Sequence, residues 1–232
     1  LVFLLKDVLN PDFKETKIYP GESRVAPKDT IINVNGVEIK MIGVMGGKID
    51  CKGLKKTIEL EDFYMGETEV TQQLWSAIMG DNPSINQTRD SLPVENVDLV
   101  ECLKFVNKLD SITGKDFYIP TYPQWLYVGY LSKQLPVKEE VLDSYAWYRD
   151  NSGDTTHSVK QKNPNSLGVY DMLGNVTEWT ISGSFPLFIV AGGSYETEKG
   201  KCNDELREFD HCNVKSASLG LRLVLYPASS KK

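Results

Sequence analysis

From residue 143 to residue 218 no helical period survives, and Gly, Asn, Asp and Pro recur every few residues instead. Irregular stretches this long are uncommon in a compact domain unless they are functional or stapled, because buried loop backbone needs partners for its N–H and C=O groups. Within it, Leu167-Gly168-Val169-Tyr170-Asp171-Met172-Leu173-Gly174-Asn175-Val176-Thr177-Glu178-Trp179 is the densest signal, followed by Gly192-Gly193-Ser194-Tyr195. The chain then runs into Leu219-Gly220-Leu221-Arg222-Leu223-Val224-Leu225, which reads as one buried strand. Residues 228–232 read as a frayed tail.

Ahead of that stretch the sequence is more regular. Val37-Glu38-Ile39-Lys40-Met41 alternates apolar and polar residues and predicts a half-buried strand, ended by Gly46-Gly47. Thr71 caps a predicted helix whose stripe is Leu74, Trp75, Ile78 and Met79, with Gly80 as its stop. Asp98, three residues before Glu101, forms a capping-box pattern ahead of Leu99, Leu103, Val106 and Leu109. Thr121 stands in the same relation to Gln124, with Pro123 tolerated in the first turn. Residues 1–35, with Pro11, Pro20 and Pro27 and weak periodicity, read as an N-terminal extension. The domain is then placed at 36–227.

With 232 residues, 41% apolar and 25% charged, the chain has the composition of a globular protein with a sizeable core. A net charge of −6 and no Lys/Arg block offer nucleic acid or an anionic membrane nothing to hold. No apolar run approaches the ~20 residues of a membrane helix. Cys202 and Cys212 are close enough in sequence to bridge across a loop; the alternative is Cys102 in the core and Cys51, Cys202 and Cys212 as free thiols. The expected location is extracytoplasmic (periplasm or cell surface), with any signal sequence already removed.

Six motifs in order carry a resemblance. They are Phe63–Thr71 with Trp75 and Met79–Ser84; Leu92–Val97; Tyr118-Ile119-Pro120-Thr121 with Trp125; Tyr145–Tyr148 with Asn151-Ser152-Gly153 and His157; Leu167–Trp179; and Gly192–Tyr195 with the closing Leu219–Val224. Together they resemble the family of formylglycine-generating enzymes, also called sulfatase-modifying factors. The third departs from the family's pattern, with Tyr118 in place of an arginine and Tyr122 and Gln124 in place of glutamates. The resemblance implies an α+β variant of the C-type lectin fold, with few helices, a small twisted antiparallel sheet and much irregular loop.

It also implies calcium as the staple. One site would take Asp171, the Gly174 and Val176 carbonyls and Glu178; these are the hard oxygen donors calcium prefers. A second would begin at Asn151 and Ser152, with Asp154 as a candidate acid. His157 and His211 have no accompanying ligand set, and Trp147 and Trp179 read as packing residues.

Active members of the family oxidise a sulfatase cysteine to formylglycine with copper held by two cysteines. Those positions fall here on Thr197 and Cys202, with Ser194 matching a serine near the active site. A hydroxyl is a hard ligand that stays protonated near neutral pH, so one member of the soft thiolate pair is missing. The resemblance therefore implies a non-catalytic binding protein with a protein or glycan ligand. Its candidate surface is Tyr195, Thr197, Asn203, Arg207 and Phe209. Two alternatives stay open: a copper oxidase centred on Cys202, and a diversified ligand-binding protein of a bacterium or phage. Glu196, Glu198, Lys199 and Lys201 fit the latter poorly, since asparagine-codon randomisation does not favour them.

Overall fold

Helices start where the caps place them. The computed structural model describes residues 16–21, 25–52, 54–132, 135, 138–181, 188–203, 207–209 and 211–227. In α1 (Gln72–Met79) the Thr71 hydroxyl accepts from Leu74 N at 3.2 Å, and Gly80 closes the helix at φ 90°. In α2 (Leu99–Thr113) the Asp98–Glu101 box is complete, at 2.8 Å and 3.1 Å. In α3 (Tyr122–Leu131) the Thr121–Gln124 box is complete too, at 3.3 Å and 2.9 Å. Each cap satisfies backbone donors that a helix start leaves unpaired. Two further helices, α4 (Glu139–Tyr145) and α5 (Arg149–Ser152), lie where no period was readable.

The strands are β1 (Lys17–Pro20), β2 (Thr30–Val34), β3 (Val37–Val44), β4 (Gly47–Cys51), β5 (Lys56–Leu60), β6 (Phe63–Gly66), β7 (Phe117–Tyr118), β8 (Thr177–Ile181), β9 (Phe188–Ala191), β10 (Arg207–Phe209), β11 (Leu219–Gly220) and β12 (Val224–Leu225). They form three sheets, ordered β1-β4-β5, β2-β3-β6-β12-β7 and β10-β9-β8-β11. Among these described strands the pairings are antiparallel except that of β8 with β11. This is an α+β fold of the C-type lectin-like type, with short helices and curled sheets around irregular loops.

Three expectations change. The segment set apart as an extension contributes two strands: β1 pairs with β4, and Thr30–Val34 pairs with Val37–Met41 over five positions. The domain thus includes residues before 36; residues 1–15 lie outside the described part. The closing run is two strands rather than one. β11 pairs with β8, and β12 inserts between β6 and β7, so Leu221, Arg222 and Leu223 cross from one sheet to another. Leu103 also leaves the buried stripe and is 42% exposed, because Cys102, Phe105, Val106 and Leu109 set the helix phase.

Two apolar clusters flank the five-stranded sheet. One gathers α1 and α2, where Trp75 stacks on Phe105 with ring centres 4.8 Å apart, and it includes Trp179. The other gathers around α3 and Trp125 and includes Cys51 and Cys202. None of the four cysteines is in a disulfide: Cys102 lies in the first cluster, Cys212 packs against it, and Cys51 and Cys202 lie in the second. The 202–212 bridge is therefore not formed. A thiol count under denaturing, non-reducing conditions is expected to give four; a count of two would reinstate a disulfide.

Candidate functional site

The Asp171–Glu178 segment turns sharply before β8. Asp171, Gly174 and Asn175 all have positive φ, at 53°, 74° and 54°. Asp, Asn and Gly are the residues that tolerate that region. The turn delivers Glu178 to a closed interior. Its Oε1 accepts from Arg222 Nη2 at 2.6 Å and Nε at 3.0 Å, while Oε2 accepts from Trp125 Nε1 at 2.9 Å. Arg222 and Glu178 are 0% and 1% exposed. The same guanidinium donates to the carbonyls of Gly66 at 3.0 Å, Tyr170 at 2.8 Å and Asp171 at 3.1 Å.

Two more buried carboxylates face this group. Asp171 Oδ2 accepts from Lys160 N at 2.8 Å. Glu69 accepts from Val176 N at 3.0 Å and Asn175 Nδ2 at 2.7 Å. Three carboxylates thus share one guanidinium, and burial is the first cause pushing each upward. Glu69 rises well above the usual carboxylate range, with the Asp171 and Glu178 charges adding to burial. Asp171 is raised to about 6, and Glu178 is raised against the opposing pull of Arg222. Losing hydration makes the charged forms costly, and one cation does not offset three anions.

That surplus of hard oxygen donors fits a divalent cation in chemistry. The fit to the expected calcium set is not uniform, however. Asp171, Gly174 and Val176 lie together on the turn, but Glu178 is already engaged by Arg222 and Trp125 and would enter only as a shared ligand. Among the described residues no three His, Cys, Asp or Glu side chains converge as a ligand set, so carbonyls would have to supply the remainder.

Of the second expected set, Asn151 and Ser152 use their side chains in bonds to the protein. Asn151 Oδ1 accepts from Tyr148 N at 2.8 Å and its amide donates to Ala146 O at 3.1 Å. Ser152 Oγ donates to Tyr195 O at 3.0 Å and accepts from Asp154 N at 3.2 Å. His157 stacks on Trp147 with ring centres 3.8 Å apart, and its Nε2 meets Ser152 O at 2.7 Å. These groups cap and staple turns.

A cavity of about 440 Å³ lies beside Ser194 and Thr197, walled by the hydroxyl-bearing residues Thr177, Ser194, Thr197, Ser216 and Ser218 together with Val190 and Leu219. Its rim is tied by charge. Arg149 donates from Nε to Glu196 O at 3.0 Å, from Nη1 to Glu198 at 3.1 Å, and from its backbone N to Thr197 O at 3.0 Å. Lys201 meets the other Glu198 oxygen at 2.8 Å, and Lys199 meets Asp143 at 3.3 Å.

Behind the cavity Gly193 holds φ 73°, and a Cβ built on it would lie 3.2 Å from both Cys202 Sγ and Thr197 Oγ1. Thr197 and Cys202, the positions that the resemblance sets against the oxidases' cysteines, are therefore neighbours in space. Thr197 Oγ1 already accepts from Ser194 N at 2.8 Å, and Cys202 is fully buried. One thiol beside a hydrogen-bonded hydroxyl does not fit copper(I), which needs soft ligands.

The expected ligand surface is only partly present. Thr197 lines the cavity, whereas Tyr195 is turned inward at 8% exposure, its hydroxyl raised to about 12 by burial and the nearby Glu196 charge. Asn203 bonds back to Gly200 O at 3.1 Å. The side chains of Arg207 and Phe209 lie outside the described residues. Three residues escaped the sequence reading. Arg222 left a signal, a lone charge in an apolar run; Glu69 sat unremarked inside the first motif; Arg149 left none.

The sulfatase-modifying factor enzyme 1-like domain model matches residues 21–226. The chain belongs to that family. Treponema denticola variable protein 1 is similar in structure, with a TM-score of 0.77 and 27% identity, covering 87% of this chain and 100% of that one. PvdO from Pseudomonas aeruginosa shares the fold at TM-score 0.68 and 15% identity, covering 88% of this chain and 100% of that one. CarF shares it at 0.66 and 20%, covering 82% and 98%. Chaperone protein LppX of Paenibacillus barcinonensis is 28% identical over 53% of this chain, which spans 63% of that relative's length. Among the described residues no helix is long and apolar enough to cross a membrane.

Proposed function

We propose that this family member is a non-catalytic binding protein that presents the hydroxyl-lined cavity beside Ser194 and Thr197 to a protein or glycan ligand. The observation that carries it is Thr197. It occupies the place of a copper thiolate, next to Cys202, with its hydroxyl committed to the Gly193-Ser194 turn. The fold alone does not decide between binding and oxidation, but this substitution removes the ligand pair the oxidation needs. Incubation with copper(I), oxygen and a Cys-x-Pro-x-Arg peptide is expected to give no aldehyde by mass spectrometry above a no-protein control. Clear formylglycine formation would overturn the reading and leave Cys202 as its centre.

The likeness to the Treponema variable protein favours a second reading, a diversified binding surface. Against it, Glu198 pairs with Arg149 and Lys201, and Lys199 pairs with Asp143, so the charged residues of this loop already have partners on the protein itself.

The same reading includes calcium as a structural staple at Asp171, with the Gly174 and Val176 carbonyls and Glu178 shared with Arg222. Bound only by the folded protein, calcium at about 100 times its dissociation constant would add about 2.7 kcal/mol. A chelator is expected to lower the Tm and added calcium to restore it. An unchanged melting curve at matched ionic strength would remove calcium from the account and leave Arg222 as the sole counter-charge.

A further inference from the structure

A second cavity, of about 460 Å³, opens between the β2–β3 hairpin, the Gly66–Thr71 segment, α1 and Val159–Lys160. It shares no lining residue with the cavity beside Thr197. Its volume lies in the range that holds small ligands, and no role in the proposed function has used it.

One part of its lining is a prepared cation pair. Lys40 Nζ meets Glu67 Oε1 at 2.8 Å and Lys160 Nζ meets Oε2 at 2.6 Å. The two side chains are 40% and 44% exposed while Glu67 is 11% exposed. Burial pulls the Glu67 carboxyl upward, but the bonds from Lys160 and Lys40 outweigh it and hold it below its ordinary range. Glu67 is thus a fixed anion that orients two ammoniums. An ammonium has three donors, and each lysine gives one to Glu67, so spare donors remain. Holding both side chains in place beforehand lowers the entropy a ligand must cost them.

The rest of the open lining is mixed: Ile31 is 59% exposed on β2 and Val159 is half-buried, with Thr68, Thr71, Gln73 and Ser91 among them, while Val37 packs against the core. Glu38, exposed and without a partner among the described residues, adds a negative charge to the same lining. It opposes a second negative charge on any occupant and so disfavours dianions.

We propose that this cavity binds a small monocarboxylate with an apolar body, its carboxylate on the spare donors of Lys40 and Lys160 and its body against Ile31 and Val159. A short fatty acid and an apolar free amino acid share that chemistry; only the second offers an ammonium to Glu38.

Isothermal titration calorimetry with sodium octanoate, L-leucine and the neutral octanamide tests it on the full chain. At least one of the two carboxylates is expected to bind with one-to-one stoichiometry, and octanamide at least about tenfold more weakly, the scale of a charge-assisted hydrogen bond. Tighter binding of octanoate assigns the ligand to fatty acids, and tighter binding of leucine to amino acids. Lys40→Met is expected to weaken binding about tenfold. Ile31→Glu, on an exposed position that leaves the core intact, is expected to abolish it. No heat from either carboxylate up to its solubility limit would overturn the proposal, as would equal affinity for octanamide or indifference to both substitutions in variants whose circular dichroism matches the parent.

Discussion

Arg222→Met is expected to lower stability by about 3–5 kcal/mol, read as a lower urea midpoint at unchanged slope. Methionine fills much of the space but leaves Glu178 buried without its counter-charge, in a cluster where Glu69 and Asp171 already crowd it. The loss is not confined to the ion pair. Arg222 also supplies donors to carbonyls of Gly66, Tyr170 and Asp171, which come from two separate segments of the chain. A buried carbonyl left unsatisfied costs about 1–3 kcal/mol by itself. Against a typical total of about 5–15 kcal/mol, the variant stands near the limit of folding. Glu178→Gln is expected to cost less, because it removes one of three crowded charges and its amide oxygen, set at the Oε2 position, still accepts from Trp125 Nε1 and Arg222 Nε, although its NH2 then faces Arg222 Nη2. An Arg222→Met midpoint equal to that of the parent would show that the guanidinium does not hold the cluster.

The helices were legible because what starts them is local. Thr71, Asp98 and Thr121 each act within three residues, and all three side chains bond where the spacing placed them. Pairings between distant strands were not. Val224 sits opposite both Met65 and Tyr118, and nothing in the closing apolar run distinguishes one long strand from two that serve different sheets. Leu103 shows the same limit on a helix, since i, i+4 spacing from Leu99 was satisfied while the neighbours that fix the phase lay on other elements. At the candidate site the motif gave the positions of Thr197 and Cys202 and their nearness. It did not give the ties across the rim, because Arg149 meets residues 47 to 49 positions away. The lone arginine at 222 was the readable clue to the buried cluster. A guanidinium inside an apolar run must find carboxylates, and the acids of the Asp171–Glu178 turn together with Glu69 are what it finds.

Gly174→Ala is expected to disrupt the protein as severely, through backbone rather than charge. The residue has φ 74°, a region that costs any L side chain roughly 1–2 kcal/mol. A Cβ there would also lie 2.1 Å from Trp147 O and 2.9 Å from Trp147 N, so the two segments would have to part. Their separation would break the bond from Asn175 N to Trp147 O, now 2.8 Å, and strain that from Gly174 N to Gly192 O at 3.1 Å. Those contacts join the Asp171–Glu178 turn to the Trp147–His157 stack on one side and to the Gly192–Ser194 turn behind the cavity on the other. The combined effect is placed above about 3 kcal/mol, beyond an ordinary surface change. Urea unfolding followed by circular dichroism would measure it. The same substitution at Gly80, whose added Cβ would meet nothing within 4 Å, carries only the cost of its positive φ. A Gly174→Ala loss no larger than that of Gly80→Ala would mean that the close approach to Trp147 does not set the turn.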